Sequence, residues 1–160
     1  MDSLNIHAQY MRMALSEARK AFEEEEIPVG CIILCNDRVI ARAHNQREML
    51  KDPTAHAEMI AITQAAAYLE NWRLLDTTIY VTLEPCLMCM GAILEARIST
   101  LVYGTSDNKI RTVSTFDILR EHNAMQRLGV VSNVLDDECR AILQGFFLNK
   151  RNNSEKNLVR

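Results

Sequence analysis

Apolar, β-rich runs alternate with helical segments along this chain. Residues 3–24 place apolar side chains at helical spacing, and β-rich runs follow at 27–34 and 38–43, separated by the short turn Cys35-Asn36-Asp37. Residues 104–129 are polar, with helical character only at 115–121. The other predicted elements are helices from beside His56 to 70, from Pro85 to about 96 and at 136–149, and strands at 77–83, 100–103 and 129–134. This alternation predicts a layered α/β fold.

The length and the apolar content favour one domain. The chain has 160 residues, of which 48% are hydrophobic, and this is enough for one continuous core and little more. We assign residues 1–150 to this domain. Residues 151–160 are predicted to be a flexible, basic tail, because Arg151, Lys156 and Arg160 cluster there.

The overall charge excludes some classes of function. A net charge of -3 and a pI near 5.8 argue against a protein that coats nucleic acid non-specifically, although a local basic patch remains compatible with them. No signal peptide and no membrane span are evident, so we expect a cytoplasmic protein. The five cysteines are an odd number without a secretion signal, which favours reduced thiols over disulfides.

Two short motifs carry the reactive side chains. They are His56-Ala57-Glu58 and Pro85-Cys86-Leu87-Met88-Cys89, and each lies where a helix is predicted to begin. Cys86 and Cys89 are three residues apart, so at the start of a helix they share a face. The positive end of that helix favours the thiolates that zinc binds. His56 adds one imidazole ligand.

Three protein ligands leave the fourth tetrahedral position of Zn²⁺ open, as in catalytic zinc sites, whereas structural sites close with a fourth Cys or His. We expect one zinc ion per chain, since no second cluster of ligands is evident. The remaining histidines are interpreted as surface or packing residues and the remaining cysteines as core thiols; they are His7, His44, His122, Cys31, Cys35 and Cys139.

Glu58 is the candidate proton carrier. Zinc lowers the pKa of a bound water from about 15.7 to about 7, and a carboxylate that is not a ligand can then move protons between this water, a ring nitrogen and departing ammonia. In a regular helix Glu58 would lie roughly 200° around the axis from His56. At the first turn, however, both side chains can reach past the helix end, so this spacing allows both of them to approach one metal ion there.

Each motif alone is weak evidence. A His-x-Glu triplet is common by chance, and a Cys-x-x-Cys pair is as often a redox pair or half of a structural zinc site. Their conjunction in this order, with Pro85 before Cys86, matches the signature of zinc deaminases of nucleobases. The two motifs together therefore favour hydrolytic deamination.

With these motifs the chain resembles the tRNA-specific adenosine deaminases of the TadA type, within the cytidine-deaminase-like fold. The resemblance extends from about Ala14 to Arg151. Beyond the zinc motifs it includes Ile27-Pro28-Val29-Gly30, His44-Asn45, Asp52-Pro53-Thr54-Ala55, Asn71-Trp72-Arg73-Leu74, Tyr80-Val81-Thr82-Leu83-Glu84 and Tyr103-Gly104.

The resemblance implies a three-layer α/β/α fold with a five-stranded mixed sheet, and conversion of adenosine to inosine at the wobble position of a tRNA anticodon stem-loop. It also implies that Asn45 contacts the flipped nucleotide and that Ile27, Pro28 and Val29 wall the base pocket. We assign further substrate contacts to a set of charged residues, Asp107, Lys109, Arg111, Lys150 and Arg151. A homodimer is implied too, and the helix around Met90, Ile93 and Leu94 is either its surface or buried core.

Residues 110–115 depart from the family pattern, which has a short Gly- and Ala-rich loop there. Bulkier residues at this point can reshape the contact with RNA beside the target base. Two alternatives therefore stay open: a zinc deaminase of a free base such as guanine or cytosine, and a non-catalytic zinc domain that binds RNA or supports a partner subunit.

Overall fold

The computed structural model describes residues 3–106 and 128–158. The predicted helix 115–121 lies outside these ranges, as do the 110–115 loop and His122. The described elements are α1 (Ser3–Glu23), β1 (Gly30–Cys35), β2 (Arg38–His44), α2 (Arg47–Leu50), α3 (Ala57–Leu69), β3 (Thr77–Leu83), α4 (Leu87–Glu95), β4 (Thr100–Thr105), β5 (Gly129–Val131) and α5 (Asp136–Leu158).

The strands form a five-stranded mixed sheet in the order β2-β1-β3-β4-β5. Strand β1 pairs antiparallel with β2 and β3, whereas β3–β4 and β4–β5 are parallel. The β1–β2 hairpin turns at Asn36 and Asp37, whose φ angles of 49° and 58° are both left-handed. Asn and Asp tolerate this conformation, which matches the right-handed twist of the strands, so the predicted hairpin is confirmed.

Helices cover both faces of the sheet, because its strands are apolar on both sides. On one face Ile33, Ile79 and Leu101 pack against α3 and α4. On the other face Ile32 and Val102 pack against α1 and the start of α5. The predicted three-layer α/β/α arrangement is therefore confirmed.

Helix α1 lies directly on β1. A Cβ atom built on Gly30 would lie 1.9 Å from the carbonyl oxygen of Ala14 and 2.4 Å from the amide nitrogen of Ala18. Both are backbone atoms, so no side-chain movement can relieve the clash, and only glycine permits this approach. The contact places the C-terminal end of α1 beside the start of β1.

The predicted start of β1 was wrong, whereas the predicted start of α3 beside His56 is confirmed. Strand β1 begins at Gly30 and not at 27, because Pro28 has no N–H to donate and the Val29 N–H bonds to the Ile27 carbonyl 2.8 Å away. Asp52 does not cap α3: its carboxylate accepts hydrogen bonds from the backbone and hydroxyl of Thr54, closing a local turn.

The last helix was predicted to end at 149, but α5 continues to Leu158. Residues 150–158 contain neither Gly nor Pro, so no stop signal interrupts the helix. The predicted tail therefore begins as the last turns of α5. Their side chains at 148–154 are exposed, so these turns project from the domain.

Helix α4 contributes to the core. Met90 and Ile93 are fully buried in the cluster between α3 and the sheet, and Leu94 packs half-buried against that cluster. Of the two interpretations of this helix, buried core is confirmed, and Met90 and Ile93 form no dimer surface. Across the described ranges, no helix is long and apolar enough to cross a membrane.

Candidate metal centre and substrate groove

The metal-centre candidates lie where two helices begin. His56 is the N-terminal cap residue of α3 and Cys86 that of α4, with extended ψ angles of 152° and 171°. Cys89 follows in the first turn of α4. Helices α3 and α4 pack together, so their positive ends converge and favour negatively charged ligands at this point.

Strand pairing gathers the other candidate residues at the same edge of the sheet. Gly30, the first residue of β1, pairs with His44, the last residue of β2. Strand β3 runs antiparallel to β1 and therefore ends beside Gly30. Asn45, Cys86 and the 27–29 segment are thus neighbours in space, although they are far apart in the sequence.

The three predicted ligands form one group. The Nδ1 atom of His56 lies 3.6 Å from the Cys86 Sγ and 3.5 Å from the Cys89 Sγ. All three ligand atoms lie within 4.8 Å of one another, and the described residues contain no other such group of His, Cys, Asp or Glu. Zn–S and Zn–N bonds of about 2.3 and 2.05 Å at a tetrahedral angle require an N···S separation of about 3.6 Å. The donor set therefore fits zinc.

The protonation of the thiols supports the same conclusion. A hydrogen bond from Cys89 is the main reason why the pKa of Cys86 is lowered to about 3, and that bond, with burial, raises the pKa of Cys89. The hydrogen bond with Cys86 raises the pKa of His56. The two sulfurs are thus close enough to share a hydrogen bond, and a divalent cation bound between them would favour the thiolate form of both.

Glu58 is buried beside this group, with 4% of its surface exposed. Burial raises the pKa of its carboxyl above the ordinary value, and Cys89 is among the groups that interact with it. Because His56 is the cap residue and is not helical, the angle expected between the two residues in a regular helix does not apply. The side chains of His56 and Glu58 can therefore both approach the metal position.

Asn45 connects β2 to this centre. Its backbone N–H donates to the Val29 carbonyl at 3.2 Å, and its side-chain Oδ1 accepts a hydrogen bond from the Ala57 N–H at 2.8 Å. Asn45 thereby satisfies one of the free N–H groups of α3 from outside the helix. This role could not be predicted from the sequence, since a cap residue is sought directly before a helix and not twelve positions upstream.

A groove of about 550 Å³ begins at Asn45 and passes between the end of α1 and helix α5. Three predicted substrate residues line it, namely Ile27, Asn45 and Lys150. Its other lining residues are Glu24, Glu25, Glu26, Arg47, Glu48, Phe146 and Phe147.

The other predicted substrate residues do not line this groove in the described structure. Pro28 and Val29 are buried behind Ile27, and Arg151 is exposed on α5. Asp107, Lys109 and Arg111 lie outside the described residues.

The remaining cysteines and histidines have other partners. All five cysteines are free thiols, as predicted. Cys31 and Cys139 are buried core thiols, but Cys35 is only half-buried because it ends β1 at the hairpin turn. His7 contacts the Tyr80 hydroxyl at 2.9 Å, and His44 contacts two carboxylates of the α1 segment. Both are packing residues, as expected.

Comparisons with known proteins agree with this geometry. Residues 5–151 match the family described as MafB19-like deaminase. The chain is 44% identical over 146 residues to a tRNA-specific adenosine deaminase of Streptococcus pyogenes serotype M1, covering 91% of this chain and 85% of the relative. It is 42% identical over 153 residues to the tRNA-specific adenosine deaminase of Bacillus subtilis, covering 93% and 95% of the two chains.

A solved structure is similar as well. It comes from work on A-to-I editing by tRNA:A34 deaminases at the wobble position, and it superposes with a TM-score of 0.79 at 40% identity. The match covers 84% of this chain and 99% of that chain. The chain therefore belongs to the MafB19-like deaminases and, among them, to the family of tRNA-specific adenosine deaminases.

Proposed function

We propose that this protein hydrolyses adenosine to inosine at the wobble position of a tRNA anticodon loop and releases ammonia. The observation that carries the proposal is the centre at the starts of α3 and α4, where three zinc-type ligand atoms lie within 4.8 Å of one another beside the buried Glu58. The substrate is proposed from relatives of 42–44% identity that are named tRNA-specific adenosine deaminases, and its position from the similar structure that comes from work on editing at the wobble position. We place the reaction in the cytoplasm, where the proposed substrate is found.

His56, Cys86 and Cys89 would hold one zinc ion. When bound, zinc supplies Lewis acidity that makes hydroxide available from water near neutral pH. Three ligands leave a coordination position for chemistry, which distinguishes this centre from a closed structural site. The convergent helix ends stabilise the two thiolates.

Glu58 would move the protons. It accepts one proton from the attacking water and delivers it to the ring nitrogen next to C6, and then it takes the second proton from the new C6 hydroxyl and delivers it to the amine as the C6–N bond breaks. The new C6–O bond gives inosine, and the nitrogen leaves as ammonia. Burial raises the pKa of Glu58, and a carboxyl of raised pKa holds and returns a proton more readily than an exposed one.

The groove would bind the RNA on either side of the target base. Lys150 lies in it, with its ammonium 5.6 Å from the centre of the Phe146 ring, and would contact a phosphate, while the half-buried Phe147 offers an apolar face. A base in an anticodon loop is already partly unstacked, so moving it into a pocket beside Asn45 costs less than extracting it from a duplex. We keep Pro28, Val29, Asp107, Lys109, Arg111 and Arg151 as proposed contributors to this substrate site.

We also propose a homodimer. With Met90 and Ile93 buried, the candidate surface moves to apolar side chains that α3 and α4 expose: Leu87 is 53%, Met88 37% and Tyr68 55% exposed. Exposed apolar residues on two packed helices are suited to a protein interface. Light scattering at micromolar concentration should give twice the mass of one chain, and a monomer mass would contradict this proposal.

The function is tested with an anticodon stem-loop RNA that carries a wobble adenosine. After incubation with the zinc-loaded protein, sequencing should show A-to-G readout at that position and nowhere else in the loop. The same RNA incubated with the Glu58→Ala variant is the control. Ammonia release from guanine or cytosine without RNA editing would support the free-base alternative, and zinc binding without any turnover would support a non-catalytic subunit.

A further inference from the structure

His44 connects helix α1 to the metal centre. Its Nε2 atom lies 2.8 Å from the Glu24 carboxylate and its Nδ1 atom 3.4 Å from the Glu17 carboxylate. Glu17 is buried, with 5% of its side chain exposed, and His44 is nearly so at 12%. These contacts attach the end of β2 to the C-terminal part of α1.

The attachment is needed because β2 is an edge strand. Within residues 3–106 and 128–158 it pairs with β1 on one side and with no strand on the other, so its last residue is held by backbone pairing from one direction only. Edge-strand ends fray more readily than central ones. The contacts of the His44 side chain with Glu17 and Glu24 hold this end of β2 against the α1 segment as well.

The next residue along the chain is Asn45, whose Oδ1 accepts the hydrogen bond from the Ala57 N–H. Ala57 stands between His56, a ligand candidate, and Glu58, the proton carrier. A displacement of Asn45 is therefore transmitted to the residues that flank Ala57. A misplacement of about 1 Å in a catalytic group can cost on the order of 10²-fold in rate.

We propose that His44 is a positioning residue of the deaminase site. Held between Glu17 and Glu24, it fixes Asn45 and, through the hydrogen bond to Ala57, sets His56 and Glu58 relative to each other. The inference rests on the proposed function for its rate effect, but its structural part concerns the Ala57 amide and does not depend on the substrate.

The test compares two half-buried histidines. His44→Ala should lower kcat roughly 10-fold to 100-fold, with zinc still bound at one per chain. Hydrogen exchange at the Ala57 amide should accelerate in the same variant, because its acceptor is no longer held. His7→Ala is the matched control: its ring contacts Tyr80 and lies ten residues before Glu17 on α1, away from Glu24 and Asn45, so both kcat and Ala57 exchange should stay at wild-type values.

Two further variants keep the test informative if His44→Ala folds poorly. His44→Gln retains a donor for one carboxylate and should recover part of both readouts. Glu24→Ala removes the 2.8 Å contact from a residue whose side chain is 41% exposed, so the fold is preserved, and it should accelerate Ala57 exchange.

Unchanged Ala57 exchange in His44→Ala and Glu24→Ala would overturn the proposal, whether or not kcat falls. Accelerated exchange with kcat unaffected would also overturn it, since positioning would then have no catalytic consequence. If the wild-type protein edits no RNA but deaminates a free base, the proposed function fails instead, and kcat is measured on that base.

Discussion

The metal centre and the groove beside it are built in different ways. The centre comes from two short motifs at two helix starts, and its atoms are buried or half-buried within a few ångströms of one another. The groove is assembled from the end of α1, the segment after β2, helix α2 and helix α5, and most of its charged residues are exposed. Local sequence therefore fixes the chemistry, whereas distant segments together determine which substrate reaches it.

This contrast predicts the largest effect for loss of a ligand. His56→Ala should bind no zinc at stoichiometric level and lose all measurable turnover, because two thiolates alone do not hold the ion against competing chelators. Metal analysis and an editing assay on the same preparation check both losses. The melting temperature should fall as well, since metal binding contributes to folding stability. A variant that keeps zinc and activity would remove His56 from the ligand set.

Asn45 contacts the helix start at the metal centre and also lines the groove, so its variants should distinguish a structural effect at the centre from an effect on RNA binding. Asn45→Ala removes the acceptor for the Ala57 N–H, and loss of such a cap costs roughly 0.5–2 kcal/mol of unfolding free energy. Asn45→Asp restores the acceptor but not the amide donor, so it should recover the stability without recovering activity on RNA. Denaturant unfolding and editing rates measure the two effects. Full recovery of both by Asp would show that Asn45 is only a cap.

The smallest effect is expected in the groove. Lys150→Ala should weaken RNA binding several-fold and lower the salt dependence of binding by about one counterion, with kcat at saturating RNA unchanged. The control is Arg140→Ala on the same helix, whose guanidinium is engaged by Asp136 at 2.8 Å. Binding titrations at several salt concentrations distinguish the two. An unchanged salt slope in Lys150→Ala would place the RNA elsewhere.

The same contrast explains what the sequence predicts well. The metal ligands and Glu58 could be assigned because their spacing is local and their chemistry is restricted. Both ends of strand β3 were predicted at the correct residue, because its β-branched run has clear boundaries in the sequence. The five-stranded mixed sheet was expected from the family resemblance and not from periodicity, because strand pairing is a long-range property.

The errors arose where tertiary contacts override local signals. Asp52 and Thr54 form a helix-start pattern, yet they bond to each other, and α3 takes its cap from Asn45. For Met90 and Ile93 the prediction was not wrong but left surface and core both open, because the burial of an apolar helix depends on what packs against it. The proposed role of His44 could not be predicted from the sequence either, since Glu17 and Glu24 contact it only once α1 has packed onto β1.

The most direct test of the account uses Glu58→Ala, because Glu58 is the one member of the centre assigned to proton transfer and not to metal binding. Zinc content, melting temperature and RNA affinity should match those of the wild-type protein, while the editing rate falls by about 10²-fold to 10⁴-fold or more. Wild-type editing by this variant would contradict the assigned chemistry. Loss of zinc together with activity would contradict the division between ligands and proton carrier.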